Sequence, residues 1–369
     1  MIGASEAGGV SRVERIAIVG GGTMGGGIAI AAASAGVAVT LIDSNRDMLA
    51  KAESRLDAYL SRQVDKGKRG PDEADAARLR LSTSESLEAT QGADLVIEAV
   101  FEDMRVKRDV FSKLERIVAP GTVLATNTSA LRVSDIARDL AHPERLCGLH
   151  FFSPAEHNRA VEVIRAEETA DRAIETARGF LHSCGKTPIA CTDSTGFALN
   201  RFFCPYTNEA VRCHDEGRAT AAQVDRVAKA LFGVALGPFA VMNIVKPSIN
   251  LAAVRSIAHL GAFYAPADGL VRVGERGDLW EIAPDDPPLN EAQAARIADR
   301  LKGAIFLAVR EALHEGVAAP EDIDLGAKLA FTFAVGPVAM MSALGDAEVE
   351  RLLSRVRVDR QVGSAAHGQ

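Results

Sequence analysis

An uncharged stretch of 27 residues near the start of the chain, 16–42, most strongly constrains how this sequence can fold. It reads IAIVGGGTMGGGIAIAAASAGVAVTLI and is long enough to cross a membrane as one helix. Seven of its residues are glycines, however, and six of these cluster at 20–22 and 25–27. Because glycine destabilises a helix interior and favours tight turns, we expect a strand, a turn, a helix and a second strand here.

Short apolar segments typical of strands alternate with amphipathic segments through the first half of the chain. The predicted strands are 16–20, 38–43, 94–100, 122–127, 146–152 and 161–165. Helical periodicity is clearest at 48–66 and 106–118. Such alternation is typical of a parallel sheet with helices on both faces, so we predict an α/β Rossmann-type dinucleotide-binding domain.

The second half of the chain is predicted to be all-α with an internal duplication. Residues 200–242 align without a gap on residues 299–341, and thirteen positions are identical at this offset of 99. The pairs Glu-Gly and Gly-Pro stay in register, which chance agreement between helices would not produce. The predicted domains are 11–195, the dinucleotide-binding domain; 196–290, a helical domain; and 291–355, a shorter second copy of it. The segment 262–290, rich in Pro, Gly and Asp, is expected to be loop-like.

Charge and cysteine content argue against several classes of protein. A net charge of −7 does not suit a general binder of nucleic acid or anionic membranes. The five cysteines form no CxxC pair, so we expect reduced thiols and no metal site. The opening MIGASEAGGV lacks the basic and apolar parts of a secretory signal, which predicts a cytoplasmic protein.

The glycine-rich turn contains the spacing Gly20-x-Gly22-x-x-Gly25. After a strand and before a helix, such glycines allow a tight turn and bring a pyrophosphate close to the helix N-terminus. Asp43, at the end of the second predicted strand, could accept both ribose hydroxyls and repel a 2′-phosphate, which favours NAD over NADP. Arg46 keeps NADP open as an alternative, and a turn without a ligand is the other.

A histidine and a glutamate occupy two apolar segments later in the predicted sheet. His150 in GLHFFSP ends a strand, where open parallel sheets bind their ligands. Glu162 interrupts the apolar run RAVEVIR, and a buried carboxylate needs a partner. If the two strands are neighbours, Glu162 would orient the His150 ring and stabilise its charged form during proton transfer. A structural core histidine is the alternative. Glu98 in DLVIEAV is interpreted as a supporting residue.

Four segments, IAIVGGGTMGGGIA, ATNTSAL, GLHFFSP…VEVI and TGFALNRFFCPYTNEA, occur in this order. Together they resemble the L-3-hydroxyacyl-CoA dehydrogenases over roughly residues 13–245. The repeat at 299–341 resembles a second copy of that family's C-terminal domain, as in multifunctional β-oxidation enzymes. The resemblance implies NAD-dependent oxidation of an (S)-3-hydroxyacyl-CoA to the 3-oxoacyl-CoA, or the reverse, in fatty acid metabolism.

The resemblance also implies roles for individual residues. His150 matches the family's catalytic histidine, Glu162 its orienting glutamate, and Ser129 and Asn200 its hydrogen-bond donors to the substrate. Substrate binding is implied for Ser129 and Asn200, and for Lys66, which matches a lysine associated with the CoA phosphates. The implied cofactor contacts are Gly20, Gly22, Thr23, Met24, Gly25, Asp43, Glu102, Lys107, Ser129 and Ser153.

Departures from the family pattern concern the substrate. Ser153 stands where many members have Asn, and Thr195 where Pro is usual. Glu156, His157 and Arg159 replace a more apolar segment and are expected near the acyl pocket. The thioester could therefore be carried by CoA or by a carrier protein.

Two further functions remain as alternatives. A dehydrogenase of free β-hydroxy acids would use a catalytic lysine, for which Lys246 is the candidate. A non-catalytic NAD-binding structural protein is the other. No nucleic acid, membrane or metal is expected as a partner.

The second copy has Asp299 where the first has Asn200, so it is expected to support structure and not catalysis. We expect either a homodimer or an internally pseudo-dimeric monomer. In the latter, the copies would cover each other at shared apolar positions, Phe232 with Phe331 and Met242 with Met341.

Overall fold

The structure, a computed structural model, describes residues 12–365, with side chains for 12–356. The chain forms two compact units with the boundary between Pro188 and Ile189. The opening ten residues, which predicted a cytoplasmic protein because they lack a secretory signal, lie outside the described part of the chain. Within that part, no helix is both long enough and apolar enough to cross a membrane.

The first unit is built on a sheet flanked by helices, and the last strand of this sheet begins in the first unit and continues past its boundary. The strands are β1 Arg15–Val19, β2 Ala38–Ile42, β3 Leu81–Ser84, β4 Leu95–Glu98, β5 Val123–Thr126, β6 Leu146–Phe151, β7 Ala160–Arg165 and β8 Thr187–Thr192. The helices are α1 Thr23–Ser34, α2 Arg46–Asp65, α3 Pro71–Arg78, α4 Met104–Ile117, α5 Val133–Ala137 and α6 Asp171–Ser183.

The strand order is β3-β2-β1-β4-β5-β6-β7-β8. The pairs from β3 to β6 are parallel, and β6 and β7 are antiparallel. The carboxyl ends of β1, β4, β5 and β6 therefore lie at one edge of the sheet. The stretch 16–42 forms β1, α1 and β2, which confirms the predicted strand, turn, helix and strand.

The second unit is helical, as predicted. Its helices are α7 Asn200–Asp215, α8 Ala221–Phe232, α9 Pro238–Val245, α10 Pro247–Ile257, α11 Asp268–Arg276, α12 Glu291–His314, α13 Pro320–Phe331, α14 Pro337–Leu344 and α15 Asp346–Ala365. The expectation of a loop-like segment at 262–290 is wrong for α11. Gly274 lies on this helix where a Cβ would come within 2.8 Å of Leu251, so glycine here permits close packing of α11 on α10.

The duplication appears in both helix boundaries and hydrogen bonds. Helices α7, α8 and α9 end 99 residues before α12, α13 and α14, respectively. Asp225 accepts backbone N–H groups at the start of α9, from Phe239 at 2.8 Å and Ala240 at 3.0 Å. Asp324 accepts the two corresponding N–H groups at the start of α14. The same local fold therefore occurs twice.

The two copies pack on each other with reciprocal contacts. Arg201 of the first copy binds Glu315 of the second, and Arg300 of the second binds Glu216 of the first. Such exchange of equivalent partners is characteristic of a two-fold symmetric interface, here contained in one chain.

Aromatic rings fill the same interface between the copies. Phe232 stacks on Phe333 with ring centroids 4.9 Å apart, and Phe331 stacks on Phe203 at 3.8 Å. Phe232 and Phe331, which were predicted to mark the apolar face covered between the copies, therefore lie in this interface. Met242 is buried, whereas Met341 is only partly buried.

Candidate active site

The glycine loop between β1 and α1 is shaped by close backbone contacts. Gly20 has a φ of +111°, and a Cβ there would lie 2.4 Å from the Ala99 carbonyl oxygen. A Cβ on Gly25 would lie 1.8 Å from the Gly20 carbonyl oxygen. A Cβ on Gly22, by contrast, would have no neighbour within 4 Å. Gly20 and Gly25 let the loop fold tightly, and Gly22 leaves space above the start of α1.

Asp43 holds this loop from the end of β2. Its Oδ2 accepts the Gly21 N–H at 2.7 Å, and its Oδ1 accepts the Asn45 N–H at 2.8 Å. Each carboxylate oxygen can accept a second hydrogen bond, so both remain able to bind a ligand hydroxyl. Arg46, for which binding of the 2′-phosphate of NADP was the alternative, forms an exposed ion pair with Glu85 at 2.6 Å.

A buried network links the ends of β4 and β5 to the start of α4. Lys107 is 1% exposed, and its ammonium lies 2.7 Å from Glu98 and 3.1 Å from Glu102. Glu98 also accepts the Thr126 hydroxyl and the Val100 N–H, both at 2.7 Å. Lys107, predicted as a cofactor contact, is therefore enclosed by two carboxylates, and Glu98 has the supporting position expected of it.

The two carboxylates of this network differ in their proton affinity. Burial raises the pKa of Glu98, and the neighbouring Lys107 ammonium opposes this only in part. Burial also acts on Glu102, but Lys107 and hydrogen bonds from Thr128 and Ser129 outweigh it, so the pKa of Glu102 is lowered. Glu102 therefore stays ionised and anchors the turn after β5, where it accepts the Ser129 N–H at 2.9 Å.

His150 and Glu162 face each other across the antiparallel strands β6 and β7. They are register partners, and His150 Nδ1 lies 2.6 Å from Glu162 Oε2. Glu162 is fully buried and His150 is 6% exposed. When Glu162 is a carboxylate it can only accept a hydrogen bond, so the tautomer that fits this contact has its proton on Nδ1 and its lone pair on Nε2. The arrangement can take up and return one proton at Nε2.

The loop after His150, residues 152–159, is fixed by long side chains from other elements. Arg55 of α2 binds both carboxylate oxygens of Glu156, at 2.7 and 2.8 Å. The buried Lys186 donates to the carbonyl oxygens of Ala155 and Asn158, at 2.5 and 2.7 Å. Burial and the Arg55 contact act in opposite directions on Glu156, and the net effect lowers its pKa. Glu156 thus ties the loop to α2.

The remaining predicted site residues have the following positions. Thr23 and Met24 form the first turn of α1, Ser129 follows β5, and Ser153 is exposed in the loop after β6. Lys66 is exposed and caps the C-terminus of α2. Asn200 is the first residue of α7 in the second unit, and Lys246 is an exposed residue between α9 and α10.

Several supporting residues were not predicted from the sequence. Thr126 binds Glu98, and Thr128 donates to Glu102 at 2.5 Å. Asn127 accepts the Phe151 N–H at 2.9 Å and so ties β5 to the end of β6. The available signal for these three residues in the sequence is the segment ATNTSAL, where they lie directly before Ser129. Arg55 and Lys186 carried no such signal, because their partners are distant in sequence.

Comparison with protein families gives two matches that together span most of the chain. The description "3-hydroxyacyl-CoA dehydrogenase, NAD binding domain" matches residues 15–194. The description "3-hydroxyacyl-CoA dehydrogenase, C-terminal domain" matches residues 196–279 and 297–366.

Individual relatives agree with this assignment. Mouse mitochondrial hydroxyacyl-coenzyme A dehydrogenase is 35% identical over 239 residues, 63% of this chain and 76% of its own. A probable 3-hydroxybutyryl-CoA dehydrogenase of Bacillus subtilis is 37% identical over 63% of this chain and 81% of its own. The crystal structure of Escherichia coli 3-hydroxybutyryl-CoA dehydrogenase superposes with a TM-score of 0.84 at 26% identity and covers 95% of both chains.

Proposed function

Because the chain belongs to the 3-hydroxyacyl-CoA dehydrogenase family, we propose that it interconverts an (S)-3-hydroxyacyl thioester and the 3-oxoacyl thioester with NAD as cofactor. The observation that carries the proposal is the buried pair of His150 and Glu162 at the carboxyl end of β6. A protonatable ring held by a buried carboxylate is what removal of a hydroxyl proton requires.

The proposed mechanism assigns one task to each residue. His150 accepts the substrate hydroxyl proton at Nε2 during oxidation and returns it during reduction. Glu162 keeps the ring in the required tautomer and stabilises the imidazolium that forms. Ser129 and Asn200 hydrogen-bond the reacting oxygen or the thioester carbonyl. Acid–base help of this kind is worth roughly 10²–10⁴ in rate.

The glycine loop suits a dinucleotide. The space above Gly22 and the N-terminus of α1 would receive the pyrophosphate, beside Thr23 and Met24. Asp43 would accept the ribose hydroxyls, while Glu102 and Ser153 would lie against the nicotinamide half. Lys107 would act by holding Glu102 in place. Bound there, NAD would supply the hydride acceptor for C3 of the substrate.

We propose an acyl-CoA as the physiological thioester, with Lys66 contributing to binding of its phosphates. Relatives named hydroxyacyl-CoA and hydroxybutyryl-CoA dehydrogenases support CoA over a carrier protein. We favour the thioester over the free-acid alternative, which would use Lys246, because these relatives are named for CoA thioesters. The cytoplasmic location and the domain limits 11–195, 196–290 and 291–355 stay predictions.

The packing of the two copies favours an internally pseudo-dimeric monomer over a homodimer.

The substrate class can be tested by following NADH absorbance with three acceptors. Acetoacetyl-CoA should be reduced efficiently, acetoacetyl carrier protein more slowly, and free acetoacetate not measurably. Comparable turnover of acetoacetate would contradict recognition of a thioester. Preference for the carrier protein would contradict the assignment of CoA.

Asp43→Ala is expected to weaken NADH binding and to narrow the preference for NAD over NADP. The substitution removes both the ribose acceptor and the negative charge that repels a 2′-phosphate. It also removes the hydrogen bonds to Gly21 and Asn45, so Asp43→Asn, which keeps an acceptor oxygen without the charge, separates the two effects. Fluorescence titration with NADH and NADPH measures the affinity for NADH and the preference between the two cofactors in each variant. An unchanged preference in both variants would exclude Asp43 from the cofactor site.

A further inference from the structure

The first turn of α7, which carries Asn200, is held on both flanks by the second copy of the helical unit. We propose that this copy takes part in catalysis indirectly, with Glu315 and Gly326 as positioning residues for Asn200. The inference rests on the substrate-binding role proposed for Asn200. It assigns to the second copy a task beyond covering an apolar face, although none of its own residues contacts substrate.

The first flank is Arg201, directly after Asn200. Its side chain is only 2% exposed, and its guanidinium binds the carboxylate of Glu315 just after α12. Its Nε donates to the Tyr264 hydroxyl at 3.3 Å, and that hydroxyl donates to Glu311 of α12 at 2.5 Å. The buried cation is therefore compensated by carboxylates of the second copy. The Glu315 side chain is 44% exposed, but Arg201 is buried and costly to leave without a partner, so this contact helps to locate the residue beside Asn200.

The second flank is Leu199, directly before Asn200. Leu199 is fully buried against Gly326 of α13, where a Cβ would approach its Cδ2 to 2.4 Å and its Cδ1 to 2.8 Å. Glycine at 326 thus sets how deeply Leu199 sits. The next turn of α7 is also enclosed, since Phe203 stacks on Phe331 of the second copy. Both neighbours of Asn200 are therefore located by contacts with that copy.

The symmetry of the two copies supplies an internal control. The equivalent contact joins Arg300 to Glu216, at 2.5 and 2.9 Å, and supports the residue before Arg300, which is Asp299. The Asp299 carboxylate binds Arg351 at 2.9 Å and Arg355 at 2.8 Å, both on α15. The same kind of ion pair thus supports the proposed substrate-binding residue Asn200 in the first copy and the structural residue Asp299 in the second.

The test compares Glu315→Gln with its symmetry mate Glu216→Gln in the full-length chain. Each substitution removes the charge of one reciprocal ion pair. We expect Glu315→Gln to lower kcat for acetoacetyl-CoA roughly tenfold, because small misplacement of a positioned group is costly. Its NADH affinity should stay unchanged, and Glu216→Gln should keep the kcat of the native chain. Equal kcat in the two variants would overturn the inference.

A double-mutant cycle separates positioning of Asn200 from a general loss of stability. In the Asn200→Ala background, Glu315→Gln should change kcat less than about twofold, because the group that it positions is gone. The same loss in both backgrounds would show that Glu315 acts elsewhere. If Asn200→Ala strongly lowers kcat but Glu315→Gln does not, only the present inference fails. Full turnover of Asn200→Ala would overturn the role of Asn200 and this inference with it.

Gly326→Ala tests the other flank, with Gly303→Ala as its matched control. A Cβ at 303 would approach Val356 of α15 to 2.5 Å and the Leu352 carbonyl oxygen to 3.0 Å, so this substitution also overpacks the second copy, but its nearest neighbours belong to α15 and not to α7. We expect a lower kcat for Gly326→Ala only. Equal losses in the two alanine variants would contradict the inference. Should Gly326→Ala fail to fold, the comparison of the two glutamate variants decides alone.

Discussion

His150→Gln is expected to lower kcat by at least about 10²-fold while the Kd for NADH changes by less than about twofold. Glutamine is uncharged, of similar size to histidine, and keeps amide N–H groups that can donate hydrogen bonds. It cannot accept a proton at neutral pH and return it. The loss should therefore fall on the chemical step alone, which steady-state kinetics together with NADH titration would reveal.

His142 provides the matched control for this substitution. It lies at the surface of the same unit, 3.2 Å from Glu144, so His142→Gln should leave kcat unchanged. Equal thermal unfolding midpoints for the two variants would show that stability is not responsible. Turnover of His150→Gln within a few-fold of the native value would exclude His150 as the proton acceptor.

Removal of the second copy is the change with the next largest expected effect. A chain ending at residue 290 lacks α12 to α15 and loses the covering of Phe203 and Phe232. It also leaves the buried Arg201 without Glu315. Aromatic side chains bury roughly 150–250 Å² each, so the uncovered face would be an apolar patch larger than monomers normally expose. We expect aggregation or a new dimer, with reduced turnover in any soluble fraction.

Light scattering of the shortened chain beside the full-length chain measures this effect. A new dimer would be informative, because a second molecule could provide the same face that the second copy provides within one chain. A soluble monomer with full activity would contradict both the covering role of the second copy and its support of Asn200.

The sequence predicted those parts of the fold whose patterns are local. The strands β1, β2, β4, β5, β6 and β7 are apolar runs, and they were found with small errors at their ends. β3 reads LSTS and β8 reads TPIACT, so neither has an apolar run, and β8 contains a proline tolerated at a sheet edge. Both were missed because edge strands bury less of their surface.

Prediction of the candidate active site was limited in the same way to contacts that local patterns indicate. The contact of His150 with Glu162 was predicted because a buried carboxylate needs a partner, and the twelve positions between the two residues allow a strand end, a turn and a neighbouring strand. The enclosure of Lys107 by Glu98 and Glu102 was not predicted, since it depends on how α4 packs beside β4. The contact of Glu315 with Arg201 joins residues 114 positions apart, and only the folded chain reveals it.

The most direct test of the whole account is to identify the product of the reaction. Full-length protein is incubated with NADH and acetoacetyl-CoA, and the CoA esters are analysed by mass spectrometry while NADH absorbance is followed. The account predicts that 3-hydroxybutyryl-CoA appears in an amount equal to the NADH consumed. Binding of NADH without consumption of either compound would contradict it and would favour a non-catalytic NAD-binding protein.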